Sequence, residues 1–460
     1  MVAAAGDRRR GVTRGAIAIA IPAAFLFAAA IVRMLRLAAP ETILTDLTQP
    51  LAVVTNWGAY GRAIFGVLFA MLAVATIVYF HVIRNLWDDD DRYTLRAGSI
   101  ALLAALAAVC AWLIPFTFSS DVYAYAAYGE LARLGANPYG HAPLPASDPV
   151  FSAATWQWGN PIPVCVYGPL FVVIAQLVVT ALGAFGTTMQ LDGLRVVAVV
   201  SLLACVPLAF ATFPGTPLAR SLAAFTIGLN PVAIWCAVEG HNDAIALAVV
   251  LAGIALARNG QPFAGAVVAA LAGTIKLTGI LGAVAGATFG PRARAGALLG
   301  AIATLALLIP LLHAVTTELA PQGRFAPEAS LEALVKPLIF TVVHGDAMAT
   351  VLTTLVAAIA ALACVMRGVA RLRDARVEGW IYFALGAWLL IPNPYPWYSL
   401  WLLPLAAAAP NTRPAAVAIW LSLFSVLRYV PDAVGAPAPP AAAILGAIAT
   451  LPFLALLLAE

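Results

Sequence analysis

The chain reads as long, continuous apolar runs separated by short polar or charged breaks. The runs at 16–37, 60–83 and 97–117 set the pattern, and similar blocks recur along nearly all 460 residues. A half-buried strand alternates apolar and polar positions, whereas these runs are apolar at every register, which predicts helices. About 20 such residues cross a bilayer, and inside lipid only helices or closed barrels satisfy the backbone. The expected fold is all-α, a single polytopic membrane domain over residues 1–460, with about 12 to 14 membrane helices at that length per span. No segment is long and polar enough to form a separate soluble domain.

Composition agrees with the pattern. Hydrophobic residues make up 63% of the chain and charged residues 10%, where a soluble domain carries about 25% charged. Mean hydropathy is +0.95. The net charge of +4 comes from loop arginines, so no nucleic-acid partner is expected. The five cysteines have no metal-ligand spacing and read as small hydrophobes. There are only two lysines, Lys276 and Lys336.

Arg and Lys collect on the cytoplasmic side of a membrane. Arg8 to Arg14 then lie inside, the run at 16–37 goes out and 60–83 returns. The loop Arg84–Arg92 lies inside, and 97–117 goes out, placing Asp121 outside. The run at 16–37 reads as a retained first helix, because no convincing cleavage site follows it. Taking Arg258, Arg292, Arg294, Arg367, Arg371, Arg373, Arg376 and Arg413 as inside places four more polar patches with Asp121. These are Glu239-Gly-His-Asn-Asp243, Lys276, the outer loop 317–346, and Asn393-Pro-Tyr-Pro-Trp-Tyr398. Three apolar segments lie between Val166 and Glu239, one more than this topology allows, and 167–185 is read as a partial span.

The candidate chemistry sits on those patches. Asp121 opens Asp-Val-Tyr-Ala-Tyr-Ala-Ala-Tyr-Gly129, at the head of a polar, aromatic loop over 118–166. It is either a helix N-cap or a base at the membrane surface, and Ser119 or Ser120 could cap equally well. Tyr123, Tyr125, Tyr128 and Glu130 suggest an amphipathic helix lying in the interface. His141 is either an exposed loop residue or a proton carrier. Ionisable groups within a membrane domain default to function, which singles out Glu239, His241 and Asp243 beside Asn242. Lys276 reads as a snorkelling residue or a phosphate-binding cation. Trp397 and Tyr398 lie in a stiff, Pro-rich loop suited to anchoring at the interface or walling a sugar ring. Arg324 and Lys336 are outer-loop cations. Asp88–Asp91 reads as a solvated loop.

In chain order, Asp121-Val-Tyr, Asn137-Pro-Tyr139, Tyr167-Gly-Pro-Leu170, Asn230-Pro231, Gly240-His-Asn-Asp243, Lys276 and Pro396-Trp-Tyr398 form a recognisable set. With it the chain resembles the polyprenol-phosphomannose-dependent α-(1→6)-mannosyltransferases of actinobacterial cell envelopes, within the GT-C superfamily, over about residues 100–410. The resemblance implies a GT-C fold in the plasma membrane with an extracytoplasmic catalytic loop. It implies a polyprenyl-phosphate sugar donor and a glycan or glycolipid acceptor, with no nucleotide sugar. Asp121 is then the general base of an inverting transfer, and Lys276, His241 and Arg324 are candidates to hold the donor phosphate. Tyr123, Tyr125, Tyr167, Glu239, Asn242, Asp243, Trp397 and Tyr398 are candidate sugar or acceptor contacts. No metal or other cofactor is expected. A transporter or flippase of a lipid-linked sugar is the alternative; it would use the same cavity and cations but needs no carboxylate at the loop mouth.

Overall fold

A computed structural model describes residues 17–37, 59–87, 95–114, 119–140, 147–159, 161–314, 316 and 329–430, with short stretches between 441 and 456. Arg8–Arg14, Asp88–Asp91, His141 and Arg324 lie outside the described residues. Every regular element among the described residues is helical. The first helices are α1 (Ala20–Leu37), α2 (Ala59–Trp87), α3 (Ala97–Trp112), α4 (Asp121–Arg133), α5 (Pro149–Trp158) and α6 (Pro169–Leu182). Then come α7 (Thr187–Thr212), α8 (Pro217–Gly228), α9 (Pro231–Val238), α10 (Asp243–Arg258), α11 (Pro262–Leu271), α12 (Leu281–Ala287) and α13 (Pro291–Leu307). The remainder are α14 (Ile309–Ala314), α15 (Leu331–Val343), α16 (Asp346–Arg373), α17 (Gly379–Leu389), α18 (Leu403–Ala408) and α19 (Arg413–Phe424).

Proline sets many of these boundaries. Pro149, Pro169, Pro217, Pro231, Pro262 and Pro291 each occupy the first position of a helix. There the missing N–H costs nothing and the fixed φ is already helical.

Among the described residues three helices are long and apolar enough to cross a membrane: Arg62–Arg84, Thr187–Thr212 and Asp346–Arg373. α8 and α9 would make a fourth span, bent by 47° at Asn230-Pro231. Six further apolar helices are 10–17 residues long. The chain is a polytopic all-α membrane protein. Val351, Leu355, Ile359, Leu362 and Met366 stand exposed at helical spacing along α16, a stripe suited to lipid. The segment at 167–185 is short, as the sequence suggests, being α6 followed by a 3₁₀ turn. The break at Asn230-Pro231 makes 217–238 a second irregular element in the same region.

Two corrections concern the loops. α4 does not lie in an interface with one polar face, because Val122 through Leu131 are all buried in protein. Ala124, Ala126, Ala127 and Gly129 make the helix thin enough for this. A Cβ on Gly129 would sit 2.6 Å from the Ala175 carbonyl carbon of α6. The stretch 317–346 is not simply a loop, since α15 occupies 331–343 and its Lys336 pairs with Asp346 at 3.0 Å.

Most buried apolar residues among those described gather in two packed cores. One gathers α1–α3, α8, α9 and α17–α19. The other gathers α4–α6 with the first turn of α10 and Ile275. Asp121, the Glu239–Asp243 turn, Lys276 and Trp397–Tyr398 lie along the seam between them.

Candidate functional site

Asp121 is the first residue of α4, and Ser120 occupies the N-cap without a side-chain bond. Ser119 Oγ accepts from the Asp121 amide at 3.2 Å, so Asp121 has no capping duty of its own. Its Oδ2 accepts from the Tyr125 hydroxyl, one turn along the same face, and from the Tyr167 hydroxyl, both at 3.3 Å. The Asp121 side chain is 13% exposed and its Oδ2 faces His241 Nδ1 at 3.6 Å. Burial pushes the carboxyl above the usual Asp range, while Lys276 and the two tyrosine hydroxyls draw it back down.

The Gly-His-Asn-Asp turn follows from helix-capping physics. α9 is capped by Asn230, whose Oδ1 accepts from the Val232 and Ala233 amides at 3.0 Å. Asn230 also donates to Ser422 Oγ at 2.8 Å, pinning α9 to α19. The far end of α9 closes in a Schellman motif: the Gly240 amide donates to Ala237 O and the His241 amide to Cys236 O, both at 3.0 Å. Gly240 has φ +91°, and a Cβ there would meet Val122 of α4 at 3.2 Å. The motif therefore needs glycine, and it delivers His241 beside Asp121. Asn242 then serves as N-cap of α10, and Asp243 is that helix's first residue.

Lys276 arrives by a backbone docking. The Gly168 amide donates to Ile275 O at 3.0 Å, and a Cβ on Gly168 would lie 2.1 Å from Thr274 O. Only glycine permits this approach, which brings Tyr167 and Lys276 together. Lys276 Nζ pairs with Asp243 Oδ2 at 2.5 Å, fully inside the protein. The second oxygen of Asp243 accepts from Trp401 Nε1 at 2.9 Å. The Lys276 ammonium also lies 4.7 Å above the Tyr398 ring.

A column of flat groups backs the site. His241 stacks on Trp397 at 3.8 Å and Trp397 on Tyr395 at 4.5 Å. The Arg428 guanidinium covers the other end, 3.7 Å from the Tyr395 ring, while bonding to Asn393 and to Pro394 O. With both faces of Trp397 occupied, only its edge is left for a sugar. Asp243 has both oxygens engaged, which makes it the anchor of Lys276 more than a sugar contact.

Asp121, Tyr125, Tyr167, His241, Asp243, Lys276, Trp397 and Tyr398 thus meet in one cluster. Glu239 joins through His241, with Oε2 3.9 Å from Nε2. Asn242 is wholly buried and its amide atoms have no hydrogen-bond partner among the described residues, a polar group still to be satisfied. Tyr123 is buried two positions after Asp121, off the face that carries Tyr125, and lies within electrostatic reach of Arg195.

Three residues escaped the sequence reading. Trp401 hides in an apolar run. Arg195 donates to Val238 O at 2.7 Å, pairs with Asp192 at 2.9 Å and lies 3.8 Å from the Trp112 ring, so it braces the turn before His241. Arg428 completes the column. The available signal for both arginines was a cation beside or within an apolar run.

Comparison with known proteins bears on this cluster. A 198-residue stretch is 29% identical to alpha-(1->6)-mannopyranosyltransferase A of Mycobacterium tuberculosis, covering 42% of this chain and 36% of that protein. A 247-residue stretch is 26% identical to alpha-(1->6)-mannopyranosyltransferase A of Corynebacterium glutamicum, covering 48% of this chain and 46% of that protein. In both cases the match spans less than half of the relative's length. No solved structure matches. The profile described as alpha-(1->6)-mannopyranosyltransferase, N-terminal domain, matches residues 13–289. That is more than half of the chain and takes in Asp121, Tyr167, the Gly240–Asp243 turn and Lys276, so the protein belongs to the alpha-(1->6)-mannopyranosyltransferase family.

Proposed function

We propose that the protein transfers mannose from a polyprenyl-phosphate donor to a hydroxyl of a glycan or glycolipid acceptor at the extracytoplasmic face of the plasma membrane. Asp121 is the general base. The acceptor oxygen attacks the anomeric carbon opposite the phosphate, which departs with its bonding electrons, and the configuration inverts. Asp121 Oδ1, which takes part in neither tyrosine bond, receives the acceptor hydroxyl. General bases of this kind contribute about 10²–10⁴ in rate.

Lys276 stabilises the departing phosphate as a positioned charge in a water-poor site. Asp243 and Trp401 fix where that charge stands. Asn242 offers an unsatisfied amide to a sugar hydroxyl, and Tyr167 and Tyr398 form the walls.

The observation that carries this reading is a partly exposed carboxylate and a buried lysine brought to one seam, in a chain of a mannosyltransferase family. The sidedness rests on the arginines. Asp243 and Arg258 close opposite ends of α10, about 22 Å apart at 1.5 Å per residue. Arg258 lies 5.8 Å from the Phe289 ring, close in sequence to Arg292 and Arg294 and at the end of α10 remote from Asp243.

Purified protein in lipid nanodiscs, given labelled polyprenyl-phosphate mannose and a short mannan acceptor, is expected to form a mannosylated product with inverted anomeric configuration. Movement of donor across a vesicle without product would select a flippase instead. Cysteines placed at exposed Asn137 and Arg292 are expected to label from opposite faces of the membrane.

A further inference from the structure

The imidazole of His241 sits between two carboxylates, one at each ring nitrogen. Nδ1 lies 3.6 Å from Asp121 Oδ2 and Nε2 lies 3.9 Å from Glu239 Oε2. Among the described residues neither nitrogen has a hydrogen-bond partner within bonding distance, although the side chain is fully buried. A buried polar ring normally finds partners; here the two candidates stand just beyond reach. Catalytic hydrogen bonds are often long in ligand-free proteins and tighten when substrate binds.

The ring is also held in one plane. The Schellman turn fixes its backbone and Trp397 stacks on its face at 3.8 Å. Burial, then the nearby Lys276 charge, keeps the imidazole neutral. A neutral ring is a poor anchor for a phosphate. It does have one lone pair and one N–H, the two functions a relay requires.

We propose that His241 and Glu239 carry the acceptor's proton away from Asp121. The inference rests on Asp121 being the base. As the acceptor O–H bond breaks and the O–C1 bond forms, the proton moves to Asp121 and the phosphate takes the electron pair of the broken C1–O bond. The carboxyl group then turns about Cβ–Cγ to bring its protonated oxygen to the position Oδ2 holds beside His241, and Asp121 gives the proton to Nδ1 while the Nε2 proton passes to Glu239. His241 is left as its Nδ1–H tautomer; Glu239 loses the proton to water admitted as product leaves, and proton exchange with that water restores the Nε2–H tautomer before the next turnover. Arg195, within electrostatic reach of Glu239 and bonded to Val238 O, places a positive charge near that carboxylate. His241 acts through Asp121 and does not touch the donor phosphate.

The test is steady-state transfer in nanodiscs by His241→Phe, which keeps a flat ring on Trp397, and by Glu239→Gln. Both are expected to lower kcat about 10- to 100-fold with the donor KM unchanged, and the double variant to be no slower than the worse single one, because the two act in series. His241→Ala with added imidazole is the second readout, since the vacated space beside Trp397 fits the free base; activity is expected to rise with imidazole concentration. Wild-type kcat in His241→Phe, or a loss seen only as a raised donor KM, overturns the relay. So does a folded His241→Ala protein that imidazole fails to rescue. A wild-type protein that makes no product, or an Asp121→Asn variant that retains full activity, instead overturns the function on which the relay rests.

Discussion

Two ionic clusters share the seam, and they are built to opposite standards. Around Asp243 every demand is met: one oxygen holds Lys276 at 2.5 Å, the other Trp401 at 2.9 Å, and the carboxylate has no exposed surface. Around Asp121 the distances are loose, 3.3 Å to each tyrosine and 3.6 Å to His241, and the carboxylate is partly open. A buried ion pair with both carboxylate oxygens engaged is an anchor, because removing either partner strands a charge. A carboxylate with slack around it can accept a new proton and a new partner. The contrast assigns stability to one acid and chemistry to the other, although in sequence both are single aspartates opening a helix.

The sharpest break of that contrast is Asp121→Asn. It is expected to reduce transfer about 10²- to 10⁴-fold while leaving the melting temperature nearly unchanged. A large loss of melting temperature with retained transfer would reverse the two roles. Asp243→Ala should do the opposite in kind, costing about 3–5 kcal/mol of stability by leaving Lys276 uncompensated, measured as loss of folded protein in detergent. Gly168→Ala tests the docking that unites the clusters. A Cβ 2.1 Å from Thr274 O forces the two segments apart, at a cost of about 1–3 kcal/mol, and should raise the donor KM by displacing Lys276 from Tyr167.

Trp401→Phe removes one hydrogen bond to a charged acceptor, about 1.5–3 kcal/mol, and should lower thermal stability without changing kcat. The pH profile sharpens the comparison most gently. Asp121 must be ionised to act, so transfer rises with pH and fails on the acid side. Because burial raises this carboxyl, the acid limb should lie above the ordinary Asp value of about 3.9. It should disappear from the residual activity of Asp121→Asn.

Much of this was readable from residue order. Continuous apolar runs implied helices in lipid, and arginine placement put Asp121, Glu239–Asp243, Lys276 and Asn393–Tyr398 on one side. The structure brings these patches together. What the pattern could not supply was which face of a helix each polar group takes. Tyr125 and Tyr123 look equivalent in sequence, yet a 3.6-residue turn sends only Tyr125 back over Asp121. In sequence Trp397 suits an interface anchor or a sugar wall; in the structure His241 and Tyr395 stack against both its faces. Nothing local revealed the partners of Trp401 and Arg428, because Asp243 and Asn393 are 158 and 35 residues away.

Hydrophobicity along the chain determined by itself that this is a helical membrane protein, because burying apolar surface is a local, additive property of each segment. Glycine and proline positions likewise announced the turns, since φ constraints act within one residue. The division of labour between Asp121 and Asp243 was decided only by tertiary structure. A carboxylate's reactivity depends on which distant hydroxyls, amines and rings stand within a few ångströms of it, and that proximity is a product of the whole fold.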